Sequence, residues 1–420
     1  MKISLKNVAI VEKAKIEIDG ITVVAGLNGS GKTTVAKAIY ASVNAYKNLS
    51  RRISNSRKRS IFAAVFGVLN QNVKLRHGMD SYNMANSFAD SLSLCDFIGK
   101  DKSECDEILK LFINDWMKEK TEINNDAKDK IYKNVLDVIT RSEEAYTKYL
   151  AESLFLSVFS KQINCLQNDT LADIKMDIDD MQLHSAFLNN ELVINERNIE
   201  YSKKAIYIES FNVLDMIKNN NPYSRSQRNA TVASKELFKN LYADADALDR
   251  SFEEYENNKE LTSIIDIIIS RVTHGKLKVD TYGNVDFHDN TTNKPINIEN
   301  LSAGIKVFVI LQSLLENGQL KKEDILLIDE PEVNLHPEWQ VVFAEILVLL
   351  QKEIGLNIYV NTHSPYLARA IEVKLAENGI ADKGRFYLFR EQENNLCISE
   401  DVTNCTERIY SMLYKPLESL

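Results

Sequence analysis

The sequence predicts an α/β protein in which a mixed β-sheet core with an antiparallel β subdomain carries a compact α-helical insertion. Three observations predict this fold class. Apolar and polar residues alternate through residues 1–26, residues 45–168 contain no proline and almost no strand pattern, and residues 302–389 alternate between helix and strand patterns. We therefore divide the chain into an N-terminal part (1–44), a helical insertion (45–168) and a C-terminal part (169–420).

The composition is that of an ordinary globular protein with an acidic balance and a net charge of −9. Such a chain has no general attraction to nucleic acid, so any contact of that kind needs a local basic patch. The five cysteines are widely spaced without a CxxC pair, which predicts free thiols. No apolar stretch approaches the ~18–20 residues of a membrane span, and we expect a soluble, cytoplasmic protein.

The N-terminal part begins with alternating residues that predict an antiparallel strand pair. The apolar run Ile21–Ala25 predicts a buried parallel strand, because such strands are covered on both faces. Gly26 ends that strand and a helix begins near Lys32. In the insertion, apolar residues recur at helical spacing over 108–116 and 146–158.

The C-terminal part is predicted from patterns of the same kind. Strand patterns lie at 171–178, 191–196 and 204–210. They are followed by a polar loop (219–229, with Arg225 and Arg228), a helical region (233–271) and a hairpin (276–280 and 285–288, turned at 282–284). Helices at 302–317, 338–352 and 365–378 then alternate with strands at 325–329, 357–361 and 385–389.

The most specific motif is GLNGSGKT at residues 26–33, which matches GxxxxGK[ST] between a predicted strand and a predicted helix. Its glycines let backbone N–H groups converge on phosphate oxygens at the positive end of a helix. Lys32 should reach the β- and γ-phosphates of ATP, and the Thr33 hydroxyl should bind Mg²⁺. The expected nucleotide-binding residues are Asn28, Gly29, Ser30, Gly31, Lys32, Thr33 and Thr34.

A second motif is the apolar run Ile325–Ile328 followed by two acids, which predicts a buried strand. Ligands bind at the C-terminal ends of such strands in α/β sheets. We expect Asp329 to hold Mg²⁺ through water, and Glu330 to polarise the attacking water as general base. The alternative is an ordinary strand that ends in two solvated acids.

Two further motifs stand at the starts of predicted helices. In LSAGIK (301–306), Ser302 can cap the helix, or its hydroxyl can join the exposed N–H groups in binding a γ-phosphate. His363, in NTHSP (361–365), follows a buried strand and precedes the proline that opens the next helix. It can donate to the γ-phosphate or be a structural histidine.

Taken in order, GLNGSGKT, LSAGIK, ILLIDEPEVNLHP and NTHSP resemble the motifs of ABC-type ATPase heads of the structural-maintenance-of-chromosomes (SMC) and OLD (overcoming lysogenization defect) kind. The resemblance covers about residues 1–44 and 200–420. It implies ATP hydrolysis with Glu330, His363 and Lys32 as catalytic residues, His363 being the switch histidine. It also implies that Ser302 and Gly304 complete the nucleotide site of another protomer, in a head-to-tail homodimer or higher even-numbered oligomer.

The resemblance assigns Glu332–His336 to the D-loop, which communicates between the two sites. The Q-loop is placed at Glu209-Ser210 or, alternatively, at Gln71. Some features depart from the pattern: Lys32 and Ser302 are farther apart than in ABC transporter subunits, and the insertion lacks long heptad arms. Unlike OLD nucleases, the chain is expected to carry no Toprim domain after the head.

A stand-alone head with a helical insertion and the string IDEPEVNLHP…THSP is most similar to the ATPase component of anti-phage systems of the Septu and PARIS types. This similarity implies a separate effector held by the ATPase, such as a nuclease. One rival is a nucleic-acid-dependent SMC-like ATPase in DNA repair or recombination. Another is a scaffold that binds ATP without needing to hydrolyse it, and a transporter subunit is the least favoured.

The rival role in DNA repair depends on a basic segment, Lys47–Arg59, which holds six cations and no acid. In an acidic chain this segment is a candidate contact for nucleic acid or an acidic partner. The alternative is a solvated helix face or a loop near the nucleotide. Arg225 and Arg228 carry the same two interpretations.

Overall fold

The computed structural model describes residues 1–72, 78–93, 97, 100–117, 123–167, 170–197, 203–218, 230–242, 261–279, 285–292 and 294–415. The chain forms two compact units: residues 1–47 with 152–420, here the sheet unit, and residues 48–151, here the helical unit. The polar loop predicted at 219–229, with Arg225 and Arg228, the hairpin turn at 282–284 and Cys95 lie outside the described residues. The described cysteines are free thiols: Cys105, Cys165, Cys397 and Cys405.

The strands of the described chain are β1 (Lys2–Val8), β2 (Val11–Glu17), β3 (Ile21–Gly26), β4 (Ala172–Ile178), β5 (Met181–Leu188), β6 (Glu191–Arg197), β7 (Ala205–Ile208), β8 (Gly275–Val279), β9 (Val285–Asp289), β10 (Pro295–Ile296), β11 (Ile325–Asp329), β12 (Asn357–Thr362), β13 (Gly384–Glu391) and β14 (Cys397–Asp401). Short 3₁₀ segments lie at Phe211–Lys218, Ile298–Asn300 and Ala381–Lys383, and π-helical turns at Ile269–Thr273 and Leu350–Ile354.

The helices are α1 (Lys32–Ala45), α2 (Leu49–Asn72), α3 (Gly78–Leu92), α4 (Lys102–Met117), α5 (Asn125–Ile139), α6 (Glu143–Val158), α7 (Val232–Tyr242), α8 (261–268), α9 (Ala303–Glu316), α10 (Pro337–Leu349), α11 (Pro365–Glu377) and α12 (Glu407–Tyr414). Within the helical region predicted at 233–271, residues 243–260 lie outside the described part. No described helix is long and apolar enough to span a membrane.

The described strands of the sheet unit form a large sheet in the order β6-β5-β4-β1-β2-β14-β13-β3-β12-β11-β7, and β10-β9-β8 form a small second sheet. Strands β13, β3, β12, β11 and β7 are joined by parallel pairing, and β6, β5, β4, β1 and β2 by antiparallel pairing. Strand β14 joins the halves, because it pairs antiparallel with β13 and parallel with β2. The predicted fold class is therefore confirmed.

The two faces of the parallel strands are covered by different helices. Alternate apolar residues of β3, β7, β11 and β12, such as Val23 and Ile328, join one core with residues of α9, α10 and α11. Residues of opposite parity meet α1 instead: the Tyr207 ring lies 5.9 Å from the Tyr40 ring, and the Tyr359 hydroxyl donates to Lys32 O at 3.3 Å. Helices on both faces therefore hold the parallel strands in place. The predicted nucleotide site lies at the C-terminal ends of these strands.

The outer strand β7 is capped by a side chain. Asn44 of α1 donates through Nδ2 to Ala205 O at 2.8 Å, and its Oδ1 accepts from Ala205 N at 3.2 Å. These two bonds occupy the positions that another strand would fill. An open sheet edge exposes unpaired backbone groups. The Asn44 amide therefore pairs the backbone groups of Ala205 that would otherwise be open to another strand.

The helical unit is shorter than the insertion predicted at 45–168. The segment after residue 151 belongs to the sheet unit. Ala9 N donates to Ile163 O at 2.8 Å, and Asn164 Oδ1 accepts from Asn190 N at 2.9 Å. These bonds fasten the end of the insertion to the β1–β2 and β5–β6 turns, which a helical pattern alone does not reveal.

The helical unit has a core of its own, formed by apolar residues of α2, α3, α4 and α5. Phe88 of α3 packs edge-on against Phe112 and Trp116 of α4, with ring centroids 5.2 and 4.9 Å apart. Both helical stretches predicted in the insertion, 108–116 and 146–158, lie within helices of the structure, α4 and α6.

The strands β5, β10 and β14 and the helix α12 were not predicted. The pattern for β5 is present: Leu183, Ser185 and Phe187 are buried at every second position. A turn precedes the strand, and the next turn has Asn189 and Asn190 at φ of 53° and 64°. Consecutive residues with positive φ are typical of tight hairpins, and asparagine tolerates them.

Candidate functional site

The phosphate loop (residues 26–33) connects β3 to α1, and its glycines are required by geometry. Gly29 and Gly31 have φ of 76° and 89°, in the left-handed region that glycine adopts at little cost. A Cβ at Gly31 would lie 2.6 Å from Val11 Cγ2, and one at Gly26 would lie 2.9 Å from Phe389 O. A side chain at Gly31 or Gly26 would therefore displace the loop from its position against β2 and β13.

A cavity of about 300 Å³, here the phosphate cavity, opens beside this loop. Its lining residues are Ile10, Asn28, Gly29, Ser30, Gly31, Lys32, Thr33, Thr34, Glu330 and His363. The structure thus brings the nucleotide-binding residues expected at 28–34 together with the predicted base, Glu330, and the predicted switch histidine, His363. Ser302, Gly304 and Asp329 are not among the described residues that line it, and Ile10 was not predicted.

Lys32 is buried at the floor of the site. Its Nζ donates to Gly26 O at 3.0 Å and to Leu27 O at 2.9 Å, and it lies 2.9 Å from His363 Nε2. Burial lowers the pKa of Lys32 to about 8, although the nearby carboxylates, Glu330 foremost, oppose the shift. The ammonium is therefore held by neutral acceptors in a desolvated position. An anion placed there would bind it more strongly than these neutral groups do.

His363 stands between the lysine and the predicted base. Its Nε2 lies 2.9 Å from Glu330 Oε1 as well as 2.9 Å from Lys32 Nζ. One ring nitrogen either accepts from the ammonium or donates to the carboxylate, so the two contacts compete. Burial, followed by the positive charge of Lys32, lowers the pKa of His363, which favours the neutral ring.

Asp329 ends β11 and is held by two neighbouring strands. Its Oδ2 accepts from the Tyr207 hydroxyl of β7 at 2.7 Å, and its Oδ1 accepts from Asn361 Nδ2 of β12. Burial, together with the charge of Asp329, raises the pKa of Tyr207 well above its usual value, so the phenol stays a donor. Neither Tyr207 nor Asn361 was predicted, because only the strand order brings them to Asp329.

Glu330 has φ of 45°, a conformation that costs a residue with a side chain about 1–3 kcal/mol. Its backbone N donates to Asn361 O at 3.0 Å, which anchors the distorted residue to β12. Such strain persists only where the surroundings enforce it. Here it turns the Glu330 side chain into the phosphate cavity beside His363.

The segment predicted to be the D-loop (Glu332–His336, here the D-loop segment) is bonded through a carboxylate to His363, the predicted switch histidine. Glu332 Oε1 accepts from Thr362 Oγ1 at 2.8 Å, from His363 N at 2.6 Å and from Ser364 N at 3.1 Å. A second connection runs through Gln340 of α10: its Oε1 accepts from Ser364 Oγ at 2.6 Å, and its Nε2 donates to Leu335 O at 3.1 Å. Glu332 was predicted only as part of the D-loop.

The signature segment (Leu301–Lys306) starts α9 as expected. The Ser302 hydroxyl caps the helix by accepting from Ile305 N at 3.4 Å. A Cβ at Gly304 would lie 2.9 Å from Asn334 O, so the glycine allows the segment to pack closely against the D-loop segment. Lys306 is buried and donates to Asp215 at 2.5 Å. The carboxylate offsets the unfavourable interaction between this cation and the positive end of α9.

The two Q-loop candidates lie in different units. Glu209 follows β7, next to the strand that ends in Asp329, and its Oε2 accepts from Thr231 Oγ1 at 2.6 Å. Gln71 lies on α2 of the helical unit. Position at the C-terminal edge of the sheet favours Glu209-Ser210, which stays a prediction.

Residues 49–59 of the basic segment form the start of α2, and Lys47 precedes the helix. Arg57 lies over the Tyr146 ring at 5.3 Å, and Lys58 forms an ion pair with Asp90. These two cations are therefore engaged inside the helical unit. Arg51 and Arg59 are exposed to solvent.

A second cavity, also of about 300 Å³, adjoins the phosphate cavity because Ile10 lines both. Its surface is mainly apolar. The remaining lining residues are Ala9, Gln162, Asn164, Cys165, Leu166, Gln167 and Leu396. Most of them come from the β1–β2 turn and the end of the insertion.

Part of this chain is similar to a known protein. Over 147 residues the chain is 29% identical to the Septu protein PtuA of Bacillus thuringiensis, a match that covers 32% of this chain and 36% of that relative. The alignment therefore spans about a third of each protein.

Solved SMC heads align along most of the chain at low identity. The SMC head domain from Thermotoga maritima is 11% identical with a TM-score of 0.39, covering 96% of this chain and 98% of that one. The SmcHead bound to the C-winged helix domain of ScpA is 12% identical with a TM-score of 0.43, covering 97% and 98%. Residues 1–368 match the family described as AAA ATPase domain, AAA_15. The chain belongs to this family and is a nucleotide-binding ATPase.

Proposed function

We propose that this ATPase works as a head-to-tail homodimer that clamps ATP and Mg²⁺ between its copies. The observation that carries the proposal is the composition of the phosphate cavity. Among the described residues of one chain, the phosphate loop, Glu330 and His363 line it, whereas Ser302 and Gly304 do not. A serine-capped helix start binds anions, so Ser302 of the partner subunit would complete the site.

Exposed apolar side chains around the site support an interface. Leu27, Val333 and Tyr366 are 56%, 48% and 54% exposed. They follow the C-terminal ends of β3, β11 and β12, which are adjacent strands. Large apolar side chains grouped in this way around a polar centre are typical of protein interfaces.

The side chains present fit a magnesium ion. The Thr33 hydroxyl and the Asp329 carboxylate supply the oxygen donors that Mg²⁺ prefers, with phosphate oxygens of the nucleotide completing the set. The bound ion would neutralise charge that develops on the phosphates. Tyr207 and Asn361 orient the carboxylate, which matches the way outer hydrogen bonds fix metal ligands.

The catalytic roles follow from the competing contacts of His363. A phosphate anion would draw the Lys32 ammonium toward itself. His363 would then donate its Nε2–H to the γ-phosphate instead of to Glu330, and the carboxylate of Glu330 would be free to take a proton from water. Hydrolysis removes the γ-phosphate contact that holds the two copies together, so the clamp opens.

The second cavity would take the base and ribose of the nucleotide. Its volume of about 300 Å³ suffices for a purine, and its apolar surface suits an aromatic ring. Because Ile10 borders both cavities, a ligand can occupy them together.

We further propose that opening and closing of the dimer hold or activate a separate effector, such as a nuclease or toxin in anti-phage defence. The similarity to the Septu protein PtuA supports this role. The helical unit also offers exposed large apolar side chains: Tyr82, Leu111 and Tyr149. Such side chains are candidate contacts for a partner protein.

A nucleic-acid-dependent ATPase is the second candidate, because Arg51 and Arg59 on α2 are exposed. DNA binding through them predicts that DNA stimulates ATP turnover and that salt suppresses the stimulation. The variant Arg51→Ala/Arg59→Ala should then lose the response. A rate unaffected by DNA at low salt would reject this candidate.

The homodimer can be tested by mixing two inactive variants. Lys32→Ala removes the lysine of the phosphate loop, and Ser302→Ala removes the serine of the signature segment. In a mixed dimer, one site contains both defects and the other contains none. Random mixing makes half of the dimers mixed, so activity should return to about a quarter of the wild-type rate. If the serine acts within its own chain, the mixture stays inactive.

A further inference from the structure

The helix α2 presents a stripe of polar and aromatic side chains to solvent. Residues spaced three or four apart lie on one side of an α-helix, and a rise of 1.5 Å per residue extends this stripe over about 28 Å. Four of its side chains are exposed, and its two phenylalanines are partly exposed. The members of this α2 stripe are Arg51, Asn55, Arg59, Phe62, Phe66 and Asn70.

The charge of the α2 stripe is opposite to that of the whole chain. The stripe contains two arginines and no acid, whereas the chain has a net charge of −9. Arg57 and Lys58 of the same helix are engaged within the helical unit, by a ring and by a carboxylate. Arg51 and Arg59 are instead exposed, about 12 Å apart along the helix axis. Two exposed arginines at this spacing suit an extended anionic ligand such as a chain of phosphates.

An aromatic cluster adjoins the two arginines on α2. The rings of Phe62 and Phe66 are nearly parallel, with an angle of 9° between them and centroids 5.5 Å apart. The Tyr82 ring of α3 stands edge-on to both, with centroids 5.1 and 6.3 Å away. The Tyr82 side chain is 53% exposed, so the aromatic surface reaches solvent. Exposed rings beside cations are the arrangement on which nucleobases stack while the backbone is held.

The make-up of this surface favours single-stranded nucleic acid over other anionic partners. Bases inside a duplex are stacked on one another, so an aromatic side chain has no access to their faces, whereas unpaired bases stack freely on such rings. The α2 stripe contains no aliphatic side chain, although grooves that bind an amphipathic protein helix are apolar. An acidic protein segment would use the arginines and leave the rings without a partner.

We infer that the α2 stripe and Tyr82 form a binding surface for single-stranded nucleic acid. Arg51 and Arg59 contact backbone phosphates, and the aromatic cluster stacks on unpaired bases. This surface gives the nucleic-acid-dependent candidate a defined strand form, and it rests on that proposed function only for the link to ATP turnover.

Fluorescence anisotropy with a labelled oligothymidylate of about 20 nucleotides tests the surface directly. Tyr82→Ala should weaken binding about 5- to 20-fold, because one stacking contact is lost. No charge is removed, so the slope of log affinity against log salt should stay the same. Arg51→Gln/Arg59→Gln should instead make that slope shallower by about 1.4, since each lost phosphate contact on a single strand changes it by about 0.7.

A duplex of the same length provides a comparison within each variant. It can bind only through its phosphates, so Tyr82→Ala should leave its affinity unchanged. Phe66→Leu provides a second route to the same test. It keeps apolar bulk against the core of the helical unit but removes the ring, and it should also weaken the single strand alone.

The matched controls lie in the helical unit outside the α2 stripe. Tyr149→Ala removes a tyrosine that is 58% exposed, and Lys130→Gln/Arg141→Gln removes two exposed cations that pair with carboxylates of their own helix. Both controls should bind the oligothymidylate with the affinity and the salt dependence of the wild type.

Several results would overturn the inference. One is an affinity for the oligothymidylate that is the same in Tyr82→Ala, Phe66→Leu and the wild type. Another is an equal loss of affinity for the single strand and the duplex, which would exclude stacking. Displacement of the probe by polyglutamate, with no effect of Tyr82→Ala, would assign the arginines to an acidic protein segment.

Failure of this surface and failure of the nucleic-acid-dependent candidate are distinguishable. If the variants change binding as expected but the oligothymidylate does not alter ATP turnover, the surface stands and that candidate is rejected. If DNA stimulates turnover equally in Tyr82→Ala and the wild type, and probe affinity is also equal, the candidate stands and the surface is rejected.

Discussion

His363 Nε2 and Glu330 Oε1 lie 2.9 Å apart, and the same nitrogen is equally close to Lys32 Nζ. Glu330 and His363 directly follow β11 and β12, and Lys32 begins the helix α1 that follows β3. The three groups meet because these adjacent strands are parallel and end at the same edge of the sheet. The ring nitrogen of His363 thus contacts both the lysine and the predicted base, Glu330. An anion that draws the lysine away would change the partners of both other groups.

Replacing the base tests this arrangement. Glu330→Gln keeps the size of the side chain but removes the proton acceptor, so single-turnover hydrolysis should slow by at least about 100-fold. ATP should still bind, and light scattering should detect a persistent dimer in ATP and Mg²⁺. Hydrolysis at the wild-type rate would show that another group activates water. Glu323→Gln, at an exposed ion pair with Lys203, is the control.

Nucleotide affinity should fall as pH rises, because burial lowers the pKa of Lys32 to about 8 in the free protein. Bound phosphate raises that pKa, so the complex holds a proton that the free protein loses above pH 8. Binding then takes up a proton, and affinity decreases with pH. Between pH 7 and 9 the association constant for Mg²⁺-free ATP should drop about tenfold in a fluorescence titration.

A second lysine provides the control for this pH dependence. Burial also lowers the pKa of Lys204 to about 8, but its Nζ donates to Gln319, away from the phosphate cavity. Lys204→Met should therefore leave the profile unchanged. A flat wild-type affinity from pH 7 to 9 would contradict the role assigned to Lys32.

Much of this site follows from local patterns. The phosphate loop needs consecutive residues of fixed type, and the apolar run before Asp329 marks a buried strand, so both were predicted with their neighbours. Tyr207 and Asn361 could not be found in this way. Each lies in a different strand, and their contact with Asp329 depends on β7 and β12 flanking β11.

The end of the helical insertion illustrates the same limit. Residues 152–158 continue the helix α6, so no local pattern separates them from the helical unit. Asn164 decides the boundary through bonds to Phe187 O and Asn190 N, which are distant in sequence. The strand β5 differs, because its alternation of buried side chains is local and present in the sequence, although no strand was predicted there.

The contact between Tyr207 and Asp329 predicts a change in magnesium dependence. Tyr207→Phe removes the donor to Asp329 Oδ2 and leaves Asn361 as the carboxylate's remaining side-chain donor among the described residues. The Mg²⁺ concentration for half-maximal ATPase activity should rise about tenfold, a typical effect of losing an outer hydrogen bond. Tyr387→Phe removes a hydroxyl that binds Glu17 N instead and should have no such effect. Equal magnesium dependence in both variants would contradict the prediction.

The second cavity predicts a difference between ATP and its bare phosphate chain. Leu166 lines this cavity and is 80% exposed, so Leu166→Asp should preserve the fold while placing a charge where the base would lie. ATP affinity should fall about tenfold, equivalent to about 1.4 kcal/mol. Tripolyphosphate, which lacks base and ribose, should compete at the phosphate cavity as well as it does in the wild type.

The matched control is Leu111→Asp, which changes an exposed leucine of the helical unit that is 72% exposed and outside both cavities. It should bind ATP and tripolyphosphate like the wild type. If Leu166→Asp weakens both ligands equally, the substitution disturbs the phosphate loop through Ile10. If it weakens neither, the base lies elsewhere and the apolar cavity is not part of the nucleotide site.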